Sequence, residues 1–333
     1  MERALESQSR IPYFDFVRGL AIIMVVGIHT FIPQCIDTIG GLTSALTRQI
    51  LNCAVPIFLA LSGYFMGAKI LKSRDDLFYF WRKQIPKVYI PALIWSIPYF
   101  VMDIFGGGIL SAKKLILFIV CGYSIYYFIA LIIQYYILLP VLQKHKSFML
   151  AISGAISMIS ITLITYISQI KGVNLPLIVY AGPFTTWFVF FMLGVYYSIM
   201  PRNYSLVWPI ILTTAGFILE GFETYYLNIN YGGGYGIKLS AFIYSVGIIM
   251  LMLSTKISAP YKSNKVTSVI EYIGRISFGI YLSHCYVISA VKHICPSFPW
   301  WFIWMLIIVV TSLTIVVSHK ILPKRINKYL GFL

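Results

Sequence analysis

Charged residues are scarce in this chain of 333 amino acids, in which Asp, Glu, Lys and Arg together make up 11%. A soluble domain carries roughly 25%, and no stretch here is polar over a length that would form one. Hydrophobic residues reach 59%. The composition excludes a soluble globular protein. It predicts a single integral-membrane domain over residues 1–333, of which about 14–318 are embedded.

Acidic residues are scarcer still, with 10 against 26 Lys and Arg, so the formal net charge is +16. That excess would suit a nucleic-acid partner, but the positive residues cluster at the ends of apolar runs, as membrane topology requires. We therefore expect no nucleic-acid binding. We also expect no secretory signal peptide, because Asp15 and Arg18 interrupt the first apolar run and no small-residue cleavage site follows it.

Several catalytic motifs are absent, since the sequence contains no GxSxG, HExxH, P-loop or CxxC pattern. Its five cysteines are scattered and odd in number, so we expect no metal site and interpret them as small buried hydrophobic residues. A disulfide between Cys35 and Cys295 stays open, because both fall near the same predicted membrane face. Hydrolases and metalloenzymes built on these motifs are excluded.

What the chain does contain is apolar runs of about 17–22 residues, each long enough to cross a bilayer. They predict an all-α membrane protein with about ten transmembrane helices. The predicted spans are 14–33, 49–68, 88–105, 124–142, 147–166, 184–200, 204–222, 237–255, 272–292 and 300–318. A shorter run at 115–122 is expected to form a re-entrant or interfacial segment.

The distribution of Lys and Arg orients these spans. One set of loops contains 18 of them and the opposite set contains 6, while Arg18 and Arg275 are predicted to lie within the membrane. This asymmetry predicts that both termini are cytoplasmic, which agrees with an even number of spans. The glycine-rich loop at 226–236 is then extracytoplasmic, where it is either a simple connector or a flexible ligand contact.

An arginine and a histidine lie eleven residues apart in the first span. Eleven steps of an α-helix make three turns plus about 20°, so Arg18 and His29 share one face, about 16 Å apart along the axis. Ionisable groups at such depth mark functional sites, and Asp15 can neutralise Arg18 from one turn away. The alternatives are a snorkelling arginine and a histidine that is hydrogen-bonded between helices.

A second histidine, His284, lies in the ninth predicted span. On one continuous helix it would face away from Arg275, nine residues earlier. It can instead meet His29 across the bundle, where two histidines at one cavity suit base catalysis or acyl relay; the alternative is a packed polar contact. Carboxylates near span ends are expected to be solvated rather than catalytic, namely Asp103, Glu220 and Glu223.

Basic residues crowd the predicted cytoplasmic loop between the second and third spans. Membrane topology and anionic lipid explain most of this charge. The sharper hypothesis is that the loop docks a polyanionic cytoplasmic ligand, such as a nucleotide-bearing cofactor. The residues are Lys69, Lys72, Arg74, Arg82, Lys83 and Lys87.

Six sequence blocks, in order, resemble those of the integral-membrane acyltransferase family 3 and extend over nearly the whole chain. Arg18 and His29 match its opening signature, and His284 matches its late histidine. The chain departs from the family in the basic loop, where many members have two arginines three residues apart and this chain has Gln84 and Lys87. The blocks are IPYFDFVRGLAIIMVVGIHT, VPIFLALSGYFMG, WRKQIPKVYIPALIWS, IYYFIALIIQYYILLPVL, WFVFFMLGVYY and SFGIYLSHCYV.

The resemblance implies a multi-pass O-acetyltransferase of the bacterial inner (cytoplasmic) membrane, acting in cell-envelope polysaccharide biosynthesis. It implies acetyl-CoA as the cytoplasmic acyl donor and a hydroxyl of a lipid-linked or cell-surface glycan as acceptor. His29 would be the general base or transient acyl acceptor, assisted by His284, with Asp15 as the third member of the catalytic set. Donor binding would fall to Arg18, Arg82, Lys83 and Lys87.

Other roles stay open at this point. Tyr126, Tyr127 and Trp187 either line the acceptor path or simply pack. Membrane lipids are expected partners, and association into a homo-oligomer is open. The rival from another class is a transporter or flippase of a glycan lipid, which would use the same intramembrane charges as a substrate or proton pathway.

Overall fold

The computed structural model describes residues 11–34, 36–71, 73–106 and 110–332. This part of the chain is helical and contains no strand. Short 3-10 turns at Leu51–Cys53 and Ser124–Tyr126 lead into α3 and α6, and a π-helical turn at Tyr166–Ile170 extends α7. The α-helices are α1 Pro12–Thr30, α2 Ile39–Ile50, α3 Ala54–Gly67, α4 Arg74–Phe105, α5 Ala112–Ile119, α6 Tyr127–Lys144, α7 Lys146–Thr165, α8 Leu177–Tyr180, α9 Phe184–Tyr197, α10 Val207–Tyr231, α11 Leu239–Leu253, α12 Thr255–Ser258, α13 Lys265–Arg275, α14 Ser277–Ile294, α15 Trp300–Ile321 and α16 Lys324–Tyr329.

Six helical segments in the described ranges are long and apolar enough to cross a membrane. α9 and α11 are apolar but shorter. Large apolar side chains point outward on several helices, including Phe105, Ile159, Phe222 and Met305, as expected of a surface that contacts lipid. The chain is a multi-pass membrane protein. The count of ten spans and the location of the termini stay predictions. The six segments are Pro12–Thr30, Ile39–Gly67, Arg74–Phe105, Ser124–Lys144, Lys146–Ile170 and Trp300–Ile321.

The third predicted span shows why hydropathy misplaces helix ends. α4 begins at Arg74, well before residue 88, because Ser73 and Asp76 form a capping box. The Ser73 hydroxyl accepts from the Asp76 N–H at 3.0 Å, and the Asp76 carboxylate accepts from the Ser73 N–H at 3.0 Å. Such a cap starts a helix in polar sequence, which a search for apolar runs ignores.

The ninth predicted span is interrupted. α13 ends at Arg275 and α14 begins at Ser277, so Arg275 and His284 lie on different helices. The prediction of one continuous span is wrong here, while the conclusion that the two residues are not a pair on one helix face is unaffected. Arg275 is exposed and its guanidinium lies 5.5 Å from the centroid of the Tyr272 ring. The run at 115–122 largely forms α5, an eight-residue helix that is too short to cross a bilayer.

The glycine-rich segment is a loop only in its second half. α10 continues to Tyr231 and ends where Gly232 adopts a left-handed conformation with φ 70°, a common helix terminator. The prediction of a loop at 226–236 is therefore wrong for residues 226–231. Beyond it, the Gly234 N–H donates to the Gln169 side chain at 3.1 Å, which ties the loop to the end of α7.

α1 is held among α3, α13, α14 and α15. Its contact with α13 is made through glycines. A Cβ at Gly19 would overlap the carbonyl oxygen of Ile270, and a Cβ at Gly274 would overlap that of Asp15. Such close backbone approach is typical of helix pairs in membranes. The position of His29, near the end of α1, is thus fixed by packing along the helix.

One end of the bundle gathers the loops that the sequence predicts on the same side. The Gln143 side chain donates to the carbonyls of Met66, Gly67 and Lys69 at 2.9–3.1 Å, and the Tyr13 hydroxyl donates to Met252 O at 2.8 Å. These contacts involve the start of α1 and the ends of α3, α6 and α11. We call this end of the bundle, together with the lysines that follow α3 and begin α4, the basic end.

Within the described ranges the cysteines form no disulfide bond. Cys53 and Cys121 are buried, and neither they nor Cys285 and Cys295 form a disulfide with one another. Cys35 lies outside the described residues, so its predicted pairing with Cys295 stays open.

Candidate active site

Two histidines from different helices meet inside the bundle. His29 lies in the last turn of α1 and His284 in α14, and their ring centroids are 5.2 Å apart with an angle of 50° between the ring planes. The prediction that His284 meets His29 across the bundle is confirmed.

Backbone contacts determine which nitrogen of His284 carries the proton. Nδ1 lies 2.8 Å from Tyr281 O and 3.1 Å from Ile280 O. Carbonyl oxygens only accept, so Nδ1 must donate, and in the neutral ring the lone pair is on Nε2. His284 is fully buried, and its Nε2 has no hydrogen-bond partner among the residues that the structure describes. A buried acceptor therefore remains available on the ring that contacts His29.

His29, in contrast, is exposed to a cavity of about 200 Å³. Most of the cavity wall is apolar. Tyr127 and Trp187 line it as well, whereas Tyr126 packs elsewhere and donates to Leu282 O at 2.8 Å. The cavity is thus a mostly apolar space to which His29 is exposed. Apolar lining residues include Val25, Ile28, Val55, Phe190 and Phe242.

The polar part of the cavity wall includes two cations near the starts of predicted spans, which the topology prediction counted only as loop charges. Arg48 and Lys238 line the cavity and are only 8% and 1% exposed. Asn52 accepts from Arg48 and donates to Glu220, and Lys238 Nζ lies 3.1 Å from the same carboxylate oxygen. Glu220 is fully buried, so the expectation of a solvated carboxylate is wrong. Asn52 and Lys238 supply to one of its carboxylate oxygens the hydrogen bonds that water would otherwise provide, whereas the other oxygen is buried without a partner among the described residues.

A second recess adjoins the cavity and shares Tyr180, Gly236 and Ile237 with it. Its volume is about 360 Å³, and its polar side chains include Ser168 and Gln169. The glycine-rich loop contributes to both spaces.

Arg18 and Asp15 form a separate pair near the start of α1. The Arg18 guanidinium lies 3.0 Å from the Asp15 carboxylate and 4.7 Å from the centroid of the Phe65 ring. Fourteen residues separate Asp15 from His29, about 21 Å along the helix. The structure therefore brings His29 and His284 together and leaves Asp15 with Arg18.

The basic end assembles lysines from two segments. Burial lowers the pKa of Lys69, and repulsion from Lys87 and Lys83 lowers it further, so the three ammonium groups lie near one another. Lys83 and Lys87 are one helical turn apart on α4, while Arg82 is exposed and about 100° around that helix from Lys83. Lys72 lies outside the described residues.

Some of the polar residues around the cavity carried a signal that sequence reasoning missed. Arg48 and Asn52 are four residues apart, the spacing that puts two polar groups on one helical face. Lys238 directly precedes an apolar run and was counted only as a topology charge. Its partner Glu220 lies 18 residues earlier, a pairing that no local pattern encodes.

A family model described as an acyltransferase domain matches residues 11–319. The match runs from α1 into α15 and so includes both histidines and all the residues that line the cavity. Comparisons with curated proteins and with solved structures found no match.

Proposed function

The chain belongs to acyltransferase family 3, and from that premise we propose that it transfers an acyl group, acetyl by family default, from cytoplasmic acyl-CoA to a hydroxyl of a glycan or lipid-linked sugar. The observation that carries this proposal is the pair of histidines at the cavity. His29 is presented to a ligand, and His284 is fixed behind it in a defined tautomer.

In the proposed mechanism His29 is the general base. His284 Nε2, which has no partner among the described residues, would accept the N–H of the His29 ring. The other His29 nitrogen would then be unprotonated and free to take the proton of an acceptor hydroxyl. The hydroxyl oxygen then bonds to the thioester carbonyl carbon and the carbon–sulfur bond breaks. The proton held on His29 passes to the departing thiolate. The transfer leaves no net charge on the reacting groups, and His29 is again an unprotonated base.

The donor would dock at the basic end. Lys69, Lys83 and Lys87 lie near one another and suit the phosphates of a coenzyme. Arg18 lies about 16 Å from His29 along α1. That distance excludes a shared role for Arg18 and His29 on one atom. The acyl-carrying arm must therefore extend through the protein. By the positive-inside rule the basic end would face the cytoplasm of a bacterial inner membrane.

The acceptor would approach from the opposite side. The recess beside Ser168 and Gln169 adjoins the cavity and has the polar wall that a sugar needs. A glycan held there could direct one hydroxyl toward His29.

The test is the acyl content of surface glycan, measured by mass spectrometry in cells that carry the wild-type chain, His29→Ala or no copy. We expect His29→Ala to lower acylation about 10²- to 10⁴-fold, the usual contribution of a general base. His293→Ala is the matched control, because His293 is an exposed histidine on α14 and does not line the cavity. Unchanged acylation in His29→Ala would overturn the proposal. Normal acylation with lost export of the glycan would favour the transporter.

A further inference from the structure

Arg48 is a buried cation that faces the cavity without a carboxylate beside it. Among the described residues no carboxylate oxygen lies within 4.0 Å of its guanidinium, since the ion pairs there are Arg18–Asp15, Lys114–Asp103 and Lys238–Glu220. Its contacts are Asn52 and, at 6.0 Å, the ring of Phe31. A charge removed from water without an ionic partner is costly. A ligand that carries the opposite charge would relieve that cost.

The neighbouring groups leave Arg48 as the donor that faces the cavity. Lys238 Nζ has three N–H groups and three partners, at 2.8 Å from Gln49, 3.0 Å from Gly234 O and 3.1 Å from Glu220. A guanidinium has five N–H groups, and Asn52 accepts from only one nitrogen of Arg48. Within the part of the chain that the structure describes, most of the N–H groups of the Arg48 guanidinium therefore have no acceptor.

The acidic groups of this region are turned away from the ligand space. Glu220 does not line the cavity, and its charge is matched by that of Lys238. Glu223 accepts from the backbone N–H of Ser240 at 2.9 Å and from its hydroxyl, and it does not line the cavity either. Among the described residues, the cavity wall itself thus presents two cations, Arg48 and Lys238, and no carboxylate. Glu220 is bonded directly to Lys238 and reaches Arg48 only through Asn52, so Arg48 is the cation next to His29 that lacks a direct ionic partner within the described ranges.

We propose that Arg48 binds a carboxylate of the substrate during acyl transfer. The inference rests on the proposed function and narrows its substrate class. A single cation without a direct ionic partner, in a small and mostly apolar cavity, matches a planar monoanion better than a phosphate dianion, and a guanidinium pairs with a carboxylate through two parallel hydrogen bonds. The carboxylate comes either from an acidic acceptor sugar or from an acyl group that ends in a second carboxyl.

Two pairs of probes distinguish these two sources of the carboxylate. Each pair consists of an acidic compound and its neutral counterpart. Glucuronate against glucose tests the acceptor, and succinyl-CoA against butyryl-CoA tests the acyl group. Dissociation constants are measured by equilibrium dialysis on the purified full chain in lipid nanodiscs. We expect the wild type to bind the acidic member of one pair about tenfold more tightly than the neutral member, the usual strength of a hydrogen bond to a charged group.

Variants then assign the preference to Arg48. Arg48→Gln should reduce the ratio of acidic to neutral affinity to about one and leave the affinity for the neutral probe unchanged. Arg48→Lys should keep part of the acidic preference, because lysine retains the positive charge but cannot form the two parallel hydrogen bonds of a guanidinium. Arg325→Gln, which removes an exposed charge on α16, should leave the ratio unchanged.

Two results would overturn the proposal: a wild-type ratio near one for both pairs, or a ratio that persists in Arg48→Gln. The wild-type measurement decides even if Arg48→Gln fails to fold. Because binding is read without turnover, loss of the preference is distinct from failure of the proposed function, which His29→Ala tests.

Discussion

The basic end of the bundle and the end that contains the cavity beside His29, here called the cavity end, both have charged side chains. The two ends differ in how far those side chains are buried and in whether they are paired. At the basic end Lys83 and Lys87 are exposed, and the lysines there repel one another. At the cavity end Lys238 and Glu220 are buried and bonded to each other and to amide groups. Exposed charges contribute little to stability and act on ligands through the solvent, whereas buried pairs are structurally obligatory once formed. Substitution of a charge at the cavity end should therefore lower stability far more than substitution of a charge at the basic end.

The largest difference between the two ends should be in how much a substitution lowers the stability of the fold. Glu220→Gln leaves the Lys238 ammonium buried without a countercharge and should lower the free energy of unfolding by about 3–5 kcal/mol. Lys83→Gln at the basic end should lower it little. The measurement is the thermal unfolding midpoint of both variants in one detergent.

The double variant Glu220→Gln/Lys238→Met provides the control for this difference. It removes both charges together and should recover part of the lost stability, because no unpaired charge remains. Equal midpoints for Glu220→Gln and Lys83→Gln would contradict the distinction between the two ends.

Catalysis should show the next largest effect, at the cavity end alone. His284→Leu removes the buried acceptor behind His29 and should lower kcat about 10²-fold, at the low end of the contribution of acid–base catalysis. His284→Gln retains an acceptor oxygen and should recover part of the rate. The pH profile of kcat should shift in both variants, because the acceptor sets the basicity of His29.

A purely structural role for His284 would give another pattern. It would lower the yield of folded protein and leave the pH profile of the remaining activity where the wild type has it.

The sequence predicted the backbone of this site better than its side-chain partners. Arg18 and His29 fall on α1 as their spacing requires, and the contact between His29 and His284 follows from two spans of like direction. Both inferences use local periodicity, which a sequence displays directly. The helix ends were less predictable, because the cap at Ser73 and the interruption at Ile276 depend on single residues rather than on hydropathy.

The buried polar cluster beside the cavity could not be predicted from local sequence periodicity. Arg48, Glu220 and Lys238 each stand near the end of an apolar run, where a solvated charge is the ordinary expectation. Their burial depends on mutual contacts between α2, α10 and the start of α11. Those contacts are set by tertiary packing, and the sequence shows only the separate residues.

Donor affinity should distinguish residues within the basic end. The double variant Lys83→Gln/Lys87→Gln should raise KM for acyl-CoA about fivefold with kcat nearly unchanged, since it removes binding that the ground state and the transition state share. Arg82→Gln removes one charge, about 100° around α4 from Lys83, and should raise KM by less than half as much as the double variant, which removes two. Steady-state kinetics in nanodiscs measures both.

This comparison also tests the replacement of the family's arginine pair. If Arg82→Gln raised KM as much as the double lysine variant, Arg82 would have to share the donor site despite its position on the helix.

Ionic strength should produce the smallest effect and should separate the two ends without any substitution. The Debye length falls from about 30 Å at 0.01 M to about 8 Å at 0.15 M salt, so KM for acyl-CoA should rise about twofold over that range because exposed lysines attract the donor through solvent. The double variant Lys83→Gln/Lys87→Gln should show a flatter dependence. The carboxylate preference assigned to Arg48 should not change with salt, since burial shields that charge from mobile ions. A salt-sensitive preference would place its origin at an exposed charge instead.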